Sequence, residues 1–533
     1  MKRLICCLLA LAMLCASAAV LAENTEYAVT DVVFRDGWDT RDQNAVFYEI
    51  FVGSFSDSNG YGIGDLRGII NRMDYLNDGD PQSGLSLGVD GLWLTPIFLS
   101  PTYHKYDVTD YRTIDPQFGT IDDLRELIDL CHQRGVLLIL DLPINHTGDR
   151  NRWYKNFLNA HLMHNPDNPY YDFYVWISAG DPTPAGRHFT KTSVPGLLVE
   201  ANFADSMPEM NFDSEFVRQM CVDVAEYYLD LGVDGFRFDA AKYIYFRDNA
   251  ASCDFWLWYI ARLKEKHPDI YTVAEVWDSD SITDIYGAAM NCFNFTTSQA
   301  NGLIAETAKA GNVNRYAAYL ETRQKALSAI RPGAVNVPFI ANHDTDRASG
   351  YLTVASGAMQ VAANLYLLSP GSPFLYYGEE IGLRGSRGGA VTDANRRLAM
   401  RWDDGDTVAD PVGTTYDPDK QTPYGVAALR GSSSGIYTYY KRLLMIRRAN
   451  PEIARGEIRA LNFPDTKAGG YLCTWEGSTV AVLHNTTQRT ITLDLAAATD
   501  LSFTQIGAVI GMGTAVLDGT LLTLEGQTSA VLR

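Results

Sequence analysis

Eight short apolar runs, most of them separated by helical patterns, constrain the fold of this 533-residue chain more than any other feature. One helical pattern covers residues 121–134, with Thr120 as its N-cap, and another covers 215–231 and ends at Gly232. Near-continuous apolar strands that alternate with helices indicate a parallel sheet. Eight strand–helix units predict a (β/α)8 TIM barrel, with a doubly wound sheet as the alternative. The runs are 45–55, 89–97, 136–142, 233–238, 270–276, 292–295, 335–340 and 373–377.

Two regions do not fit a simple barrel. The connection from His146 to Gly232 is far longer than one loop and one helix require, so we expect an inserted domain after the third strand. From about Gly456 the chain carries short alternating segments with Gly and Asn-Thr turns, which predict a separate C-terminal antiparallel β domain. The predicted division is barrel 23–146 and 206–450, inserted domain 147–205, and C-terminal β-sandwich 451–533.

Residues 1–22 resemble a secretory signal peptide. Lys2 and Arg3 precede the apolar run 4–14, and Ala22 is a small residue that suits signal peptidase, with a cut near Ala18 as the alternative. The run is short for a membrane span of about 20 residues, and no later stretch is apolar enough for one. We therefore expect a secreted, extracellular protein without a membrane span in its mature chain.

Charge and cysteine usage exclude several classes of partner. The formal net charge of -20 disfavours binding to nucleic acid or to an anionic membrane, because both require clustered positive charge. The cysteines beyond the signal segment are odd in number and lack CxxC spacing, so they predict neither a disulfide framework nor a zinc site. Surface lipid attachment at Cys15 is disfavoured because the large Leu14 precedes it. The oligomeric state stays open.

Polar residues of matching types end four of the predicted strands, where barrels of this type gather their active sites. Arg237 and Asp239 are two positions apart and point to the same side of their strand. An arginine beside a carboxylate lowers the carboxyl pKa and keeps it ionised, which suits a nucleophile. The ends in question are Asp141 with Asn145 and His146, Arg237 with Asp239, Glu275, and His343 with Asp344.

Glu275 lies among apolar neighbours, which should raise its pKa and favour a general acid. Asp344 would then stabilise positive charge that develops on a substrate. One ionised and one protonated carboxyl group are the arrangement of a retaining glycosidase. The alternative is that each residue is only a salt-bridged strand end, which is improbable for four strand ends together.

These motifs resemble the α-amylase family, glycoside hydrolase family 13, over essentially the whole chain after the signal segment. The segments 88–96 and 376–382 also resemble its second-strand and eighth-strand motifs. The resemblance implies that Asp239 is the nucleophile, Glu275 the acid/base and Asp344 the transition-state stabiliser. It also implies a set of substrate-binding residues, namely His104, Tyr106, Asp107, His146, Arg237, Lys242, Trp277, His343 and Arg397.

Linkage specificity is less constrained. The segment 207–211 resembles a motif of the subgroup intermediate between oligo-1,6-glucosidases and neopullulanases, with Glu209-Met210 in place of the usual Asp-Leu. Ala240 and Lys242 favour α-1,4 cleavage, whereas the segment that begins at Arg397 resembles exo-acting glucosidases. We expect an α-amylase that cleaves α-1,4 bonds of starch and maltooligosaccharides through a glycosyl-enzyme intermediate. The alternatives are an α-glucosidase or oligo-1,6-glucosidase, a neopullulanase-like transglycosylating enzyme and, as the least favoured, a non-catalytic sugar-binding homologue.

A glycine-rich loop predicts a structural Ca²⁺ site. Asp57, Asn59 and Asp65 offer side-chain oxygens, and Tyr61 and Ile63 offer backbone carbonyls, a donor set that suits a hard cation. The loop resembles the calcium loop of the family, except that Tyr61 replaces the usual aspartate. The alternative is a glycine turn with solvated acids.

Overall fold

The computed structural model describes residues 26–34, 44–389 and 391–533, so the predicted signal peptide at 1–22 lies outside the described residues. Within the described ranges, no helix combines the length and the apolar character that a membrane crossing requires. The strands, numbered in chain order, are β1 Phe47–Ile50, β2 Gly91–Leu94, β3 Phe98–Leu99, β4 Asp110–Ile114, β5 Leu137–Leu142, β6 Trp176–Ser178, β7 Phe189–Lys191, β8 Leu197–Glu200, β9 Gly235–Phe238, β10 Tyr271–Ala274, β11 Asn291–Cys292, β12 Phe374–Tyr376, β13 Glu457–Leu461, β14 Ala468–Trp475, β15 Ser478–Asn485, β16 Ile491–Asp494, β17 Ile506–Gly511, β18 Ala515–Asp518, β19 Leu521–Leu524 and β20 Thr528–Leu532.

Helices lie between most of the parallel strands. The α-helices of the described residues are Leu66–Asn71, Met73–Leu76, Ile121–Gln133, Arg152–Leu162, Glu215–Asp230, Asn249–Lys264, Asp280–Gly287, Leu303–Ala310, Val313–Ile330, Ala348–Tyr351, Ala358–Leu367, Val426–Arg430, Ile436–Ala449 and Pro451–Arg455. The shorter 3-10 helices are Val52–Ser54, Ala241–Tyr243, Val354–Ser356, Glu379–Ile381, Ala394–Arg396, Pro418–Lys420 and Leu495–Ala497.

A curled, seven-stranded parallel sheet forms the barrel in the order β11-β10-β9-β5-β2-β1-β12. Buried aromatic side chains fill its interior, among them Phe47 and Phe374, whose rings stack 4.8 Å apart. Side chains on the outer face pack against helices, as Phe238 does on Trp256 with ring centroids 4.7 Å apart. The predicted barrel fold is confirmed, and all the polar strand ends named above lie at one rim because the strands are parallel.

The seventh apolar run, 335–340, closes the barrel without forming a regular strand. Asn294 donates a backbone hydrogen bond to Val337 (3.0 Å), and Phe374 donates one to Pro338 (3.0 Å). Val337 also forms an isolated parallel bridge with Phe293. Pro338 has no N–H group to donate, which interrupts the hydrogen-bond ladder at this position. The segment therefore fills the gap between β11 and β12 as extended chain rather than as the predicted strand.

The helix Ile121–Gln133 is stabilised by a capped N-terminus and an apolar buried face, as its sequence predicts. Thr120 accepts a hydrogen bond from the backbone of Asp123, whose side chain bonds back to the N-cap, so a complete capping box starts the helix. Its buried face contains Leu127 and Cys131, at positions that share one side of a helix. This packing fixes the segment that leads into β5, and β5 carries Asp141 to the rim.

The chain between β5 and the helix Glu215–Asp230 contains a small antiparallel sheet in the order β6-β8-β7. Isolated antiparallel bridges join His146 to Glu209 and Tyr174 to Met210, so residues after this sheet return to the end of β5. The predicted limits of the inserted domain, 147–205, stay a prediction.

After the helix Pro451–Arg455 the chain forms two antiparallel sheets, β13-β14-β15-β20-β17 and β16-β19-β18. Apolar side chains from both sheets, such as Leu483 and Leu522, share one buried cluster. The predicted C-terminal antiparallel β domain is therefore confirmed, and its two sheets pack as a sandwich.

Candidate active site

A cavity of about 710 Å³ opens at the C-terminal rim of the barrel. Its lining comes from the ends of β9 and β10, the loops after β3, β5 and β8, and the segment that follows β12. Catalytic sites of this architecture lie at this rim. The polar strand ends predicted above meet in this cavity.

The Arg237 guanidinium connects three carboxyl groups. Its Nη1 atom donates to Asp239 Oδ1 (2.6 Å) and Asp141 Oδ1 (2.8 Å), and its Nη2 atom donates to Glu275 Oε2 (2.7 Å). The arginine is completely buried. The Asp239 and Glu275 carboxyl groups contact the same guanidinium and also share a side-chain hydrogen bond, so they lie side by side, as in retaining rather than inverting glycosidases.

The two neighbouring carboxyl groups differ in protonation. Burial raises the pKa of Glu275 to about 7; Arg237 opposes this shift, and the charges of Asp239 and Asp344 add to it. Burial also raises the pKa of Asp239, and Arg237 offsets only part of that rise. The expectation that Arg237 gives Asp239 a net lowered pKa is therefore wrong, because burial is the larger effect. Asp239 also accepts a hydrogen bond from Glu275, which opposes the rise in the Asp239 pKa and favours Glu275 as the group that keeps its proton close to neutral pH.

Asp344 is held ionised by two cations. Its Oδ1 atom accepts a hydrogen bond from Arg397 Nη2 (2.6 Å), and its Oδ2 atom lies 3.0 Å from His343 Nε2. Burial alone would raise the pKa of Asp344, but His343 and Arg397 keep it well below its usual range. A permanently ionised carboxylate beside the other two acids can stabilise positive charge in the cavity.

His343 is an imidazolium ion at neutral pH. Burial lowers its pKa, but Asp344 and Glu49 outweigh burial and raise the pKa to about 10. Its Nδ1 atom donates to Glu49 Oε1 (2.6 Å), and its Nε2 atom lies 2.6 Å from the hydroxyl of Tyr106. Tyr106 in turn donates to Asp141 (2.8 Å), so its hydroxyl oxygen accepts from His343. This network fixes the Tyr106 ring at the cavity wall.

Two further histidines in the cavity wall are neutral. Burial lowers the pKa of His146 to about 4 and that of His104 to about 4. His146 Nε2 lies 3.2 Å from the backbone carbonyl of Tyr106, and its Nδ1 atom is buried without a protein partner among the described residues. A neutral imidazole of this kind can hydrogen-bond to an uncharged hydroxyl group.

Trp277 and Lys242, which contact each other, line the cavity together with Glu275. The indole ring stacks on Phe295 at 4.9 Å and is 41% exposed, so it presents a free aromatic face. Lys242 donates to the Trp277 carbonyl (2.7 Å). Ala240, directly after Asp239, has a left-handed backbone (φ 49), a strained conformation for a residue with a Cβ and one that clusters at functional sites.

The cavity brings together most of the predicted site residues. Those that line it are Asp239, Glu275, Asp344, His104, Tyr106, His146, Lys242, Trp277 and Arg397. Arg237, His343 and Asp107 lie behind this lining: the first two organise the acids, and Asp107 accepts hydrogen bonds from Ser100 (2.6 Å) and Thr102. Direct sugar contacts by these three stay a prediction. Sequence reasoning missed Tyr243, which ends the 3-10 helix Ala241–Tyr243, and a set of residues in irregular segments, namely Tyr103, Phe203, Ala204, Met207, Val391, Thr392 and Asp393.

The predicted calcium loop is occupied by its own hydrogen bonds. Asp57 accepts from the backbone N–H groups of residues 59, 60 and 62, and Asp65 accepts from Ser58 and Asn59. Burial raises the pKa of Asp57, but a hydrogen bond from Thr407 and those from the loop backbone outweigh it and lower the pKa. Tyr61 is exposed. The oxygen donors are of the type that calcium prefers, yet within the described ranges no group of three or more His, Cys, Asp or Glu residues is arranged to hold a metal.

Comparison with known proteins settles the family. The family model for the α-amylase catalytic domain matches residues 49–456, which include every acid described above. The chain belongs to the α-amylase family. The match also agrees with the barrel expected from the apolar runs and confirms the expected enzyme of the glycoside hydrolase class.

Individual relatives in the α-amylase family cover most of the chain. Alpha-amylase 3 of Dictyoglomus thermophilum is 33% identical over 453 residues, which are 83% of this chain and 85% of that protein. The trehalose synthase/amylase of Mycolicibacterium smegmatis is 29% identical over 494 residues and covers 81% and 80% of the two chains. The solved structure of Amy13B from Eubacterium rectale superposes with a TM-score of 0.84 at 30% identity, over 96% of this chain and 97% of that one.

Proposed function

We propose that this member of the α-amylase family is a secreted, retaining α-glucan hydrolase that cleaves α-1,4 bonds of starch and maltooligosaccharides. One observation carries the proposal: a single buried arginine brings an ionisable and a protonated carboxyl group together in one cavity, beside a third carboxylate that stays ionised. Neutral histidines and aromatic faces around these acids suit an uncharged, hydroxyl-rich chain.

The reaction we propose has two displacements. In the first, the Asp239 carboxylate attacks the anomeric carbon, the glycosidic C–O bond breaks, and the Glu275 proton moves to the departing oxygen. In the second, Glu275 takes a proton from water, the water oxygen attacks the same carbon, and Asp239 leaves. Asp344 lies beside both acids and stabilises the positive charge that develops on the ring in each step.

Product analysis tests the substrate. Soluble starch and maltotriose should be degraded, whereas isomaltose, which has an α-1,6 bond, should not. Hydrolysis of isomaltose without action on starch would instead assign the protein as an oligo-1,6-glucosidase. Products longer than the supplied maltotriose would identify a transglycosylating enzyme. We keep this alternative because one relative is named a trehalose synthase/amylase.

Substitution tests the residues. Asp239→Asn should lower kcat by about 10³-fold or more, because the amide cannot form the glycosyl ester. Asp122→Asn is the matched control, since this acid is exposed on the helix Ile121–Gln133 and does not line the cavity. Full activity of Asp239→Asn would refute the mechanism and leave the sugar-binding alternative.

We also propose that residues 1–22 direct secretion and that the loop 57–65 binds calcium. N-terminal sequencing of protein recovered from the culture medium should begin at or near residue 23. If calcium binds the folded chain, Tm rises with calcium concentration and falls in a chelator, by mass action. Asp57→Asn should abolish this dependence; a Tm that ignores calcium in the unsubstituted protein contradicts the site.

A further inference from the structure

The loop 201–208, which follows β8, forms one wall of the cavity. It supplies Phe203 and Met207. The Phe203 ring is 45% exposed, and it lies 5.3 Å from the His146 ring and 5.1 Å from the Tyr243 ring. An exposed aromatic face among other cavity residues is a stacking surface for a sugar, provided that the loop holds it in place.

Two buried glutamates hold the start and the end of this loop. Asn202 donates its backbone N–H to Glu209 Oε1 (3.0 Å) and its side-chain amide to Glu200 Oε1 (2.8 Å). The Glu209 N–H donates to the Glu200 carbonyl (2.9 Å). Both carboxyl groups are almost completely buried, so the loop is closed by a compact polar cluster beneath its tip.

The charges of this cluster do not balance if both acids are ionised. Arg187 contacts Glu200 Oε2 (3.0 Å) and compensates one negative charge. His146, across the isolated bridge from Glu209, is neutral because burial lowers its pKa to about 4. Burial raises the pKa of Glu209 to about 8, with Glu200 adding to the rise and Arg187 opposing it. Near neutral pH, Glu209 is therefore a neutral acid that accepts the Asn202 hydrogen bond.

We propose that Glu209, together with the ion pair of Glu200 and Arg187, is a positioning residue that fixes the loop 201–208 and so places Phe203 against the bound glucan chain. The identity of the ligand as a glucan chain rests on the proposed function, whereas the effect of Glu209 on the loop 201–208 does not. Ionisation of Glu209 beside Glu200 places two like charges in a buried site and loosens the loop.

Two substitutions separate the charge of Glu209 from its hydrogen bond. Glu209→Gln keeps an oxygen that accepts from Asn202 and cannot ionise, whereas Glu209→Leu removes the acceptor. Hydrogen exchange of a peptide that covers 201–208 reports on the loop without any need for catalysis. At about pH 6.5 we expect faster exchange in Glu209→Leu only. At about pH 9 the unsubstituted protein should exchange faster than Glu209→Gln measured at the same pH, which cancels the intrinsic dependence of exchange on pH.

Kinetics then connect the loop to the substrate. Phe203→Ala should raise KM for maltoheptaose about 3–10-fold, the effect of one lost stacking contact, with kcat little changed. Glu209→Leu should reproduce that split, and Glu209→Gln should restore the unsubstituted KM. A general structural role would instead lower kcat and Tm in both Glu209 variants.

Three results would overturn the proposal. The first is a rate of loop exchange in Glu209→Leu that equals that of the unsubstituted protein. The second is equal exchange of the unsubstituted protein and Glu209→Gln at high pH. The third is a change in loop exchange when a chelator is added, which would mean that Glu200 and Glu209 bind a cation. If Glu209→Leu fails to fold, the comparison with Glu209→Gln still decides. Failure to hydrolyse any glucan would refute the proposed function while the exchange result still decides the loop.

Discussion

Raising the pH from about 6 to about 8 should remove about nine-tenths of the activity, because it deprotonates Glu275. With a pKa of about 7, the protonated fraction of this acid falls from about 0.9 to about 0.1 across that interval. A glutamate with the ordinary pKa of 4.5 would be only about 3% protonated at pH 6. The buried position of Glu275 therefore accounts for about a 30-fold gain in the reactive form.

The assay compares kcat/KM across pH for aryl maltooligosaccharides whose leaving groups differ in acidity. A poor leaving group needs the Glu275 proton, so its rate should fall above about pH 7, while a strongly acidic phenol should show a shallower fall. In Glu275→Gln the poor substrate should lose activity, and the activated one should keep its first step without an alkaline limb. An unchanged alkaline limb in Glu275→Gln would refute the assignment of the acid.

Three further substitutions have defined outcomes. Tyr106→Phe removes the hydrogen bond to Asp141 and should lower the free energy of unfolding by about 1 kcal/mol in urea titration, together with a lower kcat/KM. Trp277→Ala exposes Phe295 and should weaken maltoheptaose binding by about 0.5–1.5 kcal/mol in calorimetry, whereas an unchanged Kd would remove the indole from the binding surface. Leu127→Ala empties a buried position on a helix that does not line the cavity and should cost about 2–5 kcal/mol in the same urea titration, with kcat/KM unchanged at 25 °C.

Local sequence rules predict the elements but not their partners. The two-residue spacing of Arg237 and Asp239 is enough to place both on one face of β9, because the periodicity of a strand is local. The pairs of Arg237 with Asp141 and of His343 with Glu49 join residues 96 and 294 positions apart. No local pattern encodes such contacts, since they depend on the order in which the strands close the barrel.

The balance of opposing effects also escapes the sequence. Asp239 has an adjacent arginine, which alone predicts a lowered pKa, but the depth of burial that reverses the sign exists only after folding. In the same way the run 335–340 has the apolar character of a strand, but Pro338, which has no N–H group to donate, interrupts its hydrogen-bond ladder. Phe203 reaches the cavity from an irregular loop and Tyr243 from the end of a short 3-10 helix, and no periodicity of the sequence marks either residue as part of the site.

The most direct test of the central claim is the configuration of the first product. When maltoheptaose is cleaved, one fragment gains a new reducing end. Proton NMR can identify the anomer of this new end before mutarotation equilibrates it. Two displacements at one carbon, with Asp239 and then water as nucleophile, predict that the α-anomer appears first. Initial release of the β-anomer would contradict the glycosyl-enzyme mechanism, and with it the role given to the close pair of Asp239 and Glu275.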